Sequence, residues 1–299
     1  MIVALTGATG AVGGALLNRL RSKDSVSEIV ILGRRCPQDL PSNVRFVRWE
    51  LGQPWPENEH ADVLVHSAFI MEDTKEQSRA TELNVNGMSV LFSSAVAAGV
   101  KEITFVSSAN AYGLRSGLPA LTEDDAITDA PGHFYLHHKY LCENIIHALQ
   151  KVNPETKYSI VRPCMVTGEG VNNSALATLT ASTVLYPKPD FSRYQFVSAD
   201  DIADAIIRIM ESDHGGVYNI CPDDSLTVRE VAEALGHRAV HVPISVTRRA
   251  SDIGFALGVI PFSSRWVTYG DPVMNPDKAR RELGWSASEG SRDALLRYL

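Results

Sequence analysis

Short runs of Val, Ile and Leu alternate with longer stretches whose apolar residues recur at helical spacing, and the rhythm holds through residue 161. Wholly apolar runs of this length mark strands buried on both faces, as in a parallel sheet covered by helices. The predicted strands cover residues 2–5, 29–32, 44–48, 63–66, 103–107 and 158–161. Helices are predicted at 12–21, 77–98 and 134–150, the second stopping at Gly99, a common helix terminator. This is the pattern of a doubly wound α/β fold. Beyond Arg162 the rhythm loosens into a Thr/Ser/Pro-rich stretch to Arg193, followed by a helix near 200–210, a strand at 217–220 and helical pieces to the end.

Composition narrows the partners. With 299 residues, 44% of them apolar, the chain can bury a large core, and its net charge of −7 leaves no broad basic surface for a nucleic acid or an anionic membrane. A small-molecule partner is the better expectation. Cys36, Cys142, Cys164 and Cys221 are too widely spaced for a metal cluster and read as reduced thiols of a cytoplasmic protein. The opening Met1-Ile2-Val3-Ala4-Leu5 reads as a strand rather than a signal peptide. The later apolar stretch, 253–262, is broken by glycines and a proline and is too short to span a bilayer.

Directly after the first predicted strand comes Thr6-Gly7-Ala8-Thr9-Gly10-Ala11-Val12-Gly13, opening the first helix. Glycine spacing alone is weak evidence, but between a strand and a helix it fits a turn whose backbone N–H groups cradle a pyrophosphate, as in a Rossmann-type dinucleotide site. A cofactor without a 2′-phosphate is usually held by an acidic residue at the end of the second strand. Here that place is Gly33, followed by Arg34 and Arg35, whose guanidinium groups suit a 2′-phosphate. NADP(H) is therefore expected over NAD, although Arg35 reads equally well as a solvated loop residue. Glu50, with Leu51, ends the third strand and is placed either beside the adenine or in an exposed turn.

Tyr135-Leu136-His137-His138-Lys139 begins the third helix, and four-residue spacing puts the phenol and the ammonium on one helical face. A lysine cation beside the tyrosine is expected to lower its pKa from about 10 and fit it to exchange a proton with substrate. Ser108, just past the fifth strand, is placed to hydrogen-bond the same substrate oxygen. His137 and His138 read as helix surface. Each motif alone has a plain structural reading, a packed tyrosine or a capping serine, and the conjunction carries the case.

The chain resembles the extended short-chain dehydrogenases/reductases, in their NAD(P)-dependent epimerase/dehydratase group. The resemblance rests on TGATGAVG, ADVLVHSAF, Asn84-Val85-Asn86-Gly87, FVSSANAYG, YLHHKYLCE, Arg162-Pro163, FVSADDIADAI and PDKARRELGW, which run nearly end to end. It implies that Ser108, Tyr135 and Lys139 form the catalytic group and that Ser67, Ala68 and Asn84 line the cofactor. It also implies that Pro163 to Val166 pass the nicotinamide, that Tyr135 contacts the cofactor as well as the substrate, that Lys139 binds its ribose, and that a homodimer forms through helices 77–98 and 134–150. The expected division is a cofactor domain, 1–165, and a smaller substrate-binding lobe, 166–299, with about 194–220 returning to the core.

Relatives acting on nucleotide sugars commonly carry two arginines that hold pyrophosphate. Here one register falls on Tyr194, with Arg193 one place off, and the other on Thr268; Lys188 and Arg265 are the alternatives. The segment 253–262, with Trp266, is apolar enough to roof a pocket, or it is simply a packed helix. The expectation is an NADP(H)-dependent oxidoreductase acting on a ketone or secondary alcohol. The alternatives are a nucleotide-sugar epimerase or dehydratase with tightly held cofactor, and a noncatalytic NADP-sensing protein.

Overall fold

Residue-by-residue alternation builds the centre of the sheet. In β1 (Ile2–Thr6) Val3 and Leu5 enter one apolar cluster while Ala4 enters another, as the two-residue period of a strand requires. The computed structural model describes residues 1–37, 40–71, 77–115, 119–171, 174–188, 192–257, 264 and 271–297. In it β2 (Glu28–Gly33) and β4 (Val63–His66) flank β1, with β3 (Val44–Arg48) beyond β2. On the other side β5 (Glu102–Val106), β6 (Lys157–Pro163) and β11 (Gly216–Ile220) follow β4. All seven strands are parallel, in the order β11-β6-β5-β4-β1-β2-β3. The six strands predicted through residue 161 are all present, each within two residues of its predicted ends.

Helices cover both faces. Helix α1 (Ala11–Leu20) places Leu16 and Leu20 beside Val3, Leu5, Ile29 and Ile31, together with Ile202 and Ile206 of α6 (Ala199–Glu211). On the opposite face Met88, Leu91 and Phe92 of α3 (Gly87–Ala97) and Cys142 and Ile146 of α4 (Phe134–Val152) pack on Ala4, Leu64, Ile103 and Phe105. Each such buried Leu, Ile or Phe contributes about 1.5–3 kcal/mol relative to exposure. The predicted helix 77–98 is interrupted: α2 (Gln77–Thr81) and α3 are joined by a π-helical turn, Glu82–Asn86. The wide turn seats Asn84 and Val85 in the interior, and Gly87 lies so close to Gly52 that a Cβ would stand 2.6 Å from the Gly52 Cα.

Chain order explains where a crevice opens. From β1 the chain moves outward through β2 and β3, then crosses back to lay β4 on the other side of β1 and continues through β5 and β6. Connections leaving β1 and β4 therefore diverge, and ligands of such sheets bind at the carboxyl ends there. A third apolar cluster, including Met165, Leu176, Tyr194, Phe196, Val231 and Leu295, lies among the later elements. These are β7 (Met165–Thr167), α5 (Ser174–Leu179), β8 (Thr183–Lys188), β9 (Arg193–Tyr194), β10 (Phe196–Ser198) and β12 (Leu226–Thr227). They are followed by α7 (Val228–Ala234), β13 (Arg238–Pro243), α8 (Ile244–Ala256), α9 (Asp277–Leu283) and α10 (Ser291–Arg297). Among the described residues no helix is long and apolar enough to cross a membrane.

The apolar segment 253–262 is described only to Leu257; residues 258–263 and Trp266 lie outside the described residues, as do Arg265 and Thr268. In the described part Ile253 is 62% exposed and Leu257 72%, so this end of α8 is not the packed helix its composition also allowed.

Candidate active site

The Gly-rich turn follows from three short contacts. Gly7 has φ +74°, and a Cβ there would stand 2.6 Å from the Ser67 Oγ and 2.7 Å from the Ala68 nitrogen. Gly13 is tighter: a Cβ would meet the Gly7 carbonyl oxygen at 2.1 Å, so its absence lets α1 sit directly on the turn. At Gly10 a Cβ would meet only that same oxygen, at 3.4 Å, so this glycine faces open space. Gly10 also precedes α1 without a side-chain cap. The first N–H groups of α1, from Ala11, Val12 and Gly13, lack intrahelical carbonyl partners, and the positive end of the helix dipole lies there. Exposed Thr9 stands on the same rim. The turn thus fits an anionic diphosphate.

The other expected cofactor residues line the same edge. Ser67 and Ala68 follow β4, the Ser67 hydroxyl donating to the Thr6 carbonyl at 2.7 Å and the Ala68 N–H to the Thr6 Oγ1 at 3.2 Å. Arg34 and Arg35, both exposed, follow β2, and Glu50 and Leu51 follow β3, Glu50 exposed and Leu51 half-buried against the core. Pro163 ends β6, and Val166 lies in β7. Asn84 differs. Its side chain is fully buried and exchanges hydrogen bonds with the Ile70 backbone at 2.9 and 3.0 Å, so it fixes the chain after Ala68 from behind.

Ser108 caps the 3-10 turn Ala109–Tyr112, its hydroxyl accepting from the Asn110 N–H at 3.2 Å. That cap holds the oxygen at the carboxyl end of β5, near enough to Tyr135 for the serine to lower the pKa of its hydroxyl. The capping and chemical readings of Ser108 are thus compatible. Lys139, one turn after Tyr135 on α4, is 2% exposed, and its Nζ donates to the Val106 carbonyl at 2.8 Å. The Nζ also lies 3.6 Å from the ring centre of Phe69 and 4.7 Å from that of Phe105.

This placement corrects the expected electrostatics. Burial pushes the Tyr135 hydroxyl up to about 12, the Ser108 hydrogen bond lowering it only in part and the Asp271 carboxylate raising it further. Lysine does not depress it, because the Lys139 amine is drawn toward Val106 and the phenyl rings, 5.6 Å from the Tyr135 ring centre. Burial in turn lowers Lys139 to about 7, against the raising influence of Cys142 and Glu143.

His138 is a second correction. Expected on the helix surface, it is 2% exposed, with Nε2 2.8 Å from the Thr81 hydroxyl and Nδ1 3.3 Å from the Asn84 amide. It thereby braces the π-helical turn against α4. His137 is half-buried and pairs with Asp129 at 2.6 Å.

Several residues were not singled out from the sequence. Phe69 lay inside a recognised motif, yet nothing in its spacing shows that it covers Lys139. Asp271 carries a buried carboxylate oxygen without a hydrogen-bond partner, is pushed up by burial to about 7, and its charge acts on both Tyr135 and Cys164. Beneath the site Glu143 accepts from Arg162 at 2.6 Å and from the Ser107 hydroxyl, and the Arg162 guanidinium lies 4.4 Å from the Tyr112 ring centre. Glu143 stands eight residues from Tyr135, on the same helical face, a signal the sequence did contain. Of the alternative pyrophosphate cations, Arg193 is committed to Ser225, whose hydroxyl and carbonyl it meets at 2.8 and 3.0 Å.

Comparison with known proteins agrees with this geometry. Residues 3–221 match the family model described as the NAD dependent epimerase/dehydratase family. An uncharacterized protein of Sinorhizobium fredii is 25% identical over 249 residues, which cover 79% of this chain but only 61% of that protein. A UDP-glucose 4-epimerase of Thermotoga maritima, solved with UDP-glucose, superposes with a TM-score of 0.76 at 19% identity, over 100% of this chain and 97% of that one. DesIV of Streptomyces venezuelae, a dTDP-glucose 4,6-dehydratase solved with NAD, gives 0.76 at 20% identity, over 100% and 95%. At these identities the solved structures establish a shared fold.

Proposed function

The chain belongs to the NAD dependent epimerase/dehydratase family, and from that premise we propose that it is an NADP(H)-dependent oxidoreductase exchanging hydride with a ketone or secondary alcohol. The observation that carries this reading is the meeting of Ser108 and Tyr135, with Lys139 one helical turn on, at the sheet edge that also bears the Gly7–Gly13 turn. A bound nicotinamide supplies or accepts the hydride. Ser108 orients the substrate oxygen, and Tyr135, protonated far above neutral pH, is a general acid toward that oxygen as a carbonyl is reduced. In the oxidative direction the same hydroxyl must lose its proton, which requires the Lys139 amine to approach it as a cation.

Arg34 and Arg35 support NADP(H): both are exposed at the end of β2, and no carboxylate takes the place of Gly33. The DesIV structure contains NAD, so the choice is put to direct test. Titration with NADPH and NADH, followed by cofactor fluorescence, is expected to favour NADPH by at least about tenfold, a difference of 1.4 kcal/mol, and Arg34→Ala with Arg35→Ala is expected to erase the preference. Preferred binding of NADH would overturn the assignment. Tyr135→Phe is expected to lower turnover by about 100- to 10,000-fold while sparing cofactor affinity, since proton transfer is typically worth that much.

Family membership favours a second reading, a nucleotide-sugar epimerase or dehydratase that oxidises and re-reduces one substrate. Against it stands the commitment of Arg193 to Ser225. Cofactor that survives extensive dialysis, with no net change in its redox state during turnover, would select this second reading. A noncatalytic NADP sensor predicts instead that Tyr135→Phe changes nothing measurable.

A further inference from the structure

Lys139 is held in an unusual way for a cation. Of its three N–H donors, one meets the Val106 carbonyl, and the amine otherwise faces aromatic rings, the nearest being Phe69 with its centre 3.6 Å away. Phe69 stands immediately after Ser67 and Ala68 on the rim of the site, half-buried, with its ring edge-on to Tyr135 at 5.8 Å. Its ring lies against an amine whose residue is only 2% exposed. Among the described residues no ion pair to a carboxylate is formed by that amine. Glu143 on α4 is bound by Arg162 of β6 and by Ser107. Cys142 on α4 points its thiol at the Asn84 carbonyl. His66 of β4 is kept neutral at neutral pH by burial and by Lys139 itself, and His138 is likewise kept neutral by burial and its neighbours His137 and Lys139.

We propose that Phe69 is a positioning residue for Lys139, its ring shielding the amine from water and holding it over Val106 by a cation–π contact. The two actions of one ring oppose each other. Shielding favours the neutral amine, whereas the electron-rich ring face favours the cation. The consequence for turnover rests on the acid/base reading above: Tyr135 gains help only when Lys139 is both charged and released toward it.

Because the two actions oppose, different substitutions move the Lys139 midpoint in opposite directions. Protein labelled with [ε-13C]lysine and titrated by NMR reports each lysine without any substrate, and Lys139→Met identifies the resonance. The wild-type midpoint is expected near 7. Phe69→Leu keeps the cover but removes the ring and is expected to lower the midpoint by at least half a pH unit. Phe69→Ala admits water and is expected to raise it by at least one pH unit. Phe69→Tyr, which retains the ring, is expected to stay at the wild-type value. The remaining lysine resonances report whether each variant is folded; if Phe69→Ala is not, the Leu and Tyr variants decide. A Leu variant that titrates like wild type overturns the cation–π contact. A folded Ala variant still near 7 overturns the shielding. Neither result depends on NADP(H) binding or turnover, so failure of the proposed activity is read separately.

Discussion

Arg162 and Arg229 make the same kind of ion pair in two different parts of the molecule. The first, with Glu143, lies under the active site with side chains 3% and 0% exposed; the second, with Glu233 on α7, is 64% and 55% exposed. The contrast extends to the backbone around them. Every residue of β4 and β5 is buried, whereas β13 has only exposed and half-buried positions and α8 ends on exposed Ile253 and Phe255. The edge that bears the candidate site is thus built from groups already committed to one another. The later segments leave apolar and charged groups available to solvent or ligand.

Hydrogen exchange should show this contrast at its largest. Amides of β1, β4 and β5 are expected to exchange only through global opening, and those of β13 and α8 at least about 1,000-fold faster through local opening. Equal protection in both regions would break the comparison. The ion pairs give the next largest effect. Removing one member of a buried pair strands the other, so Arg162→Met is expected to cost about 3–5 kcal/mol in denaturant unfolding. Arg229→Ala should leave the unfolding midpoint almost unchanged, because water screens an exposed i,i+4 pair. Similar losses for the two would show that burial is not what separates them.

The smallest expected effect concerns Asp271, which sharpens where the committed region ends. An acid whose folded pKa is raised loses stability as pH climbs from its unfolded value, about 3.9, through its folded value of about 7. Asp271→Asn is therefore expected to be neutral at pH 4 and to raise Tm by roughly 2–4 °C at pH 8, where the native carboxylate is charged and buried. Thermal scans at the two pH values check this; stabilisation confined to pH 4 would reverse the sign of the argument.

Legibility in the sequence follows the range of the interaction. The strands through residue 161 were readable because a strand buried on both faces must be apolar throughout, a constraint local to four or five residues. Gly7 and Gly13 were readable for the same reason, since the turn that needs them spans seven residues. The π-helical turn was not, because it answers the approach of Gly52 and the seating of Asn84 beneath Ile70, contacts made across distant parts of the chain. His138 reads as surface in the sequence because helical periodicity gives an angle around the axis but not what lies opposite; Thr81 and Asn84 lie there.

The amino-acid sequence by itself determined the order of strands and helices, the Gly-rich turn after β1, and the serine, tyrosine and lysine of the proposed chemical site. These depend on residue type and short spacing. The tertiary structure alone decided the direction in which the tyrosine and lysine pKa values move. Ionisation depends on how much water is excluded and which groups approach through space, so Phe69, Val106 and Asp271 could be assigned their influence on Lys139 and Tyr135 only once the chain was folded.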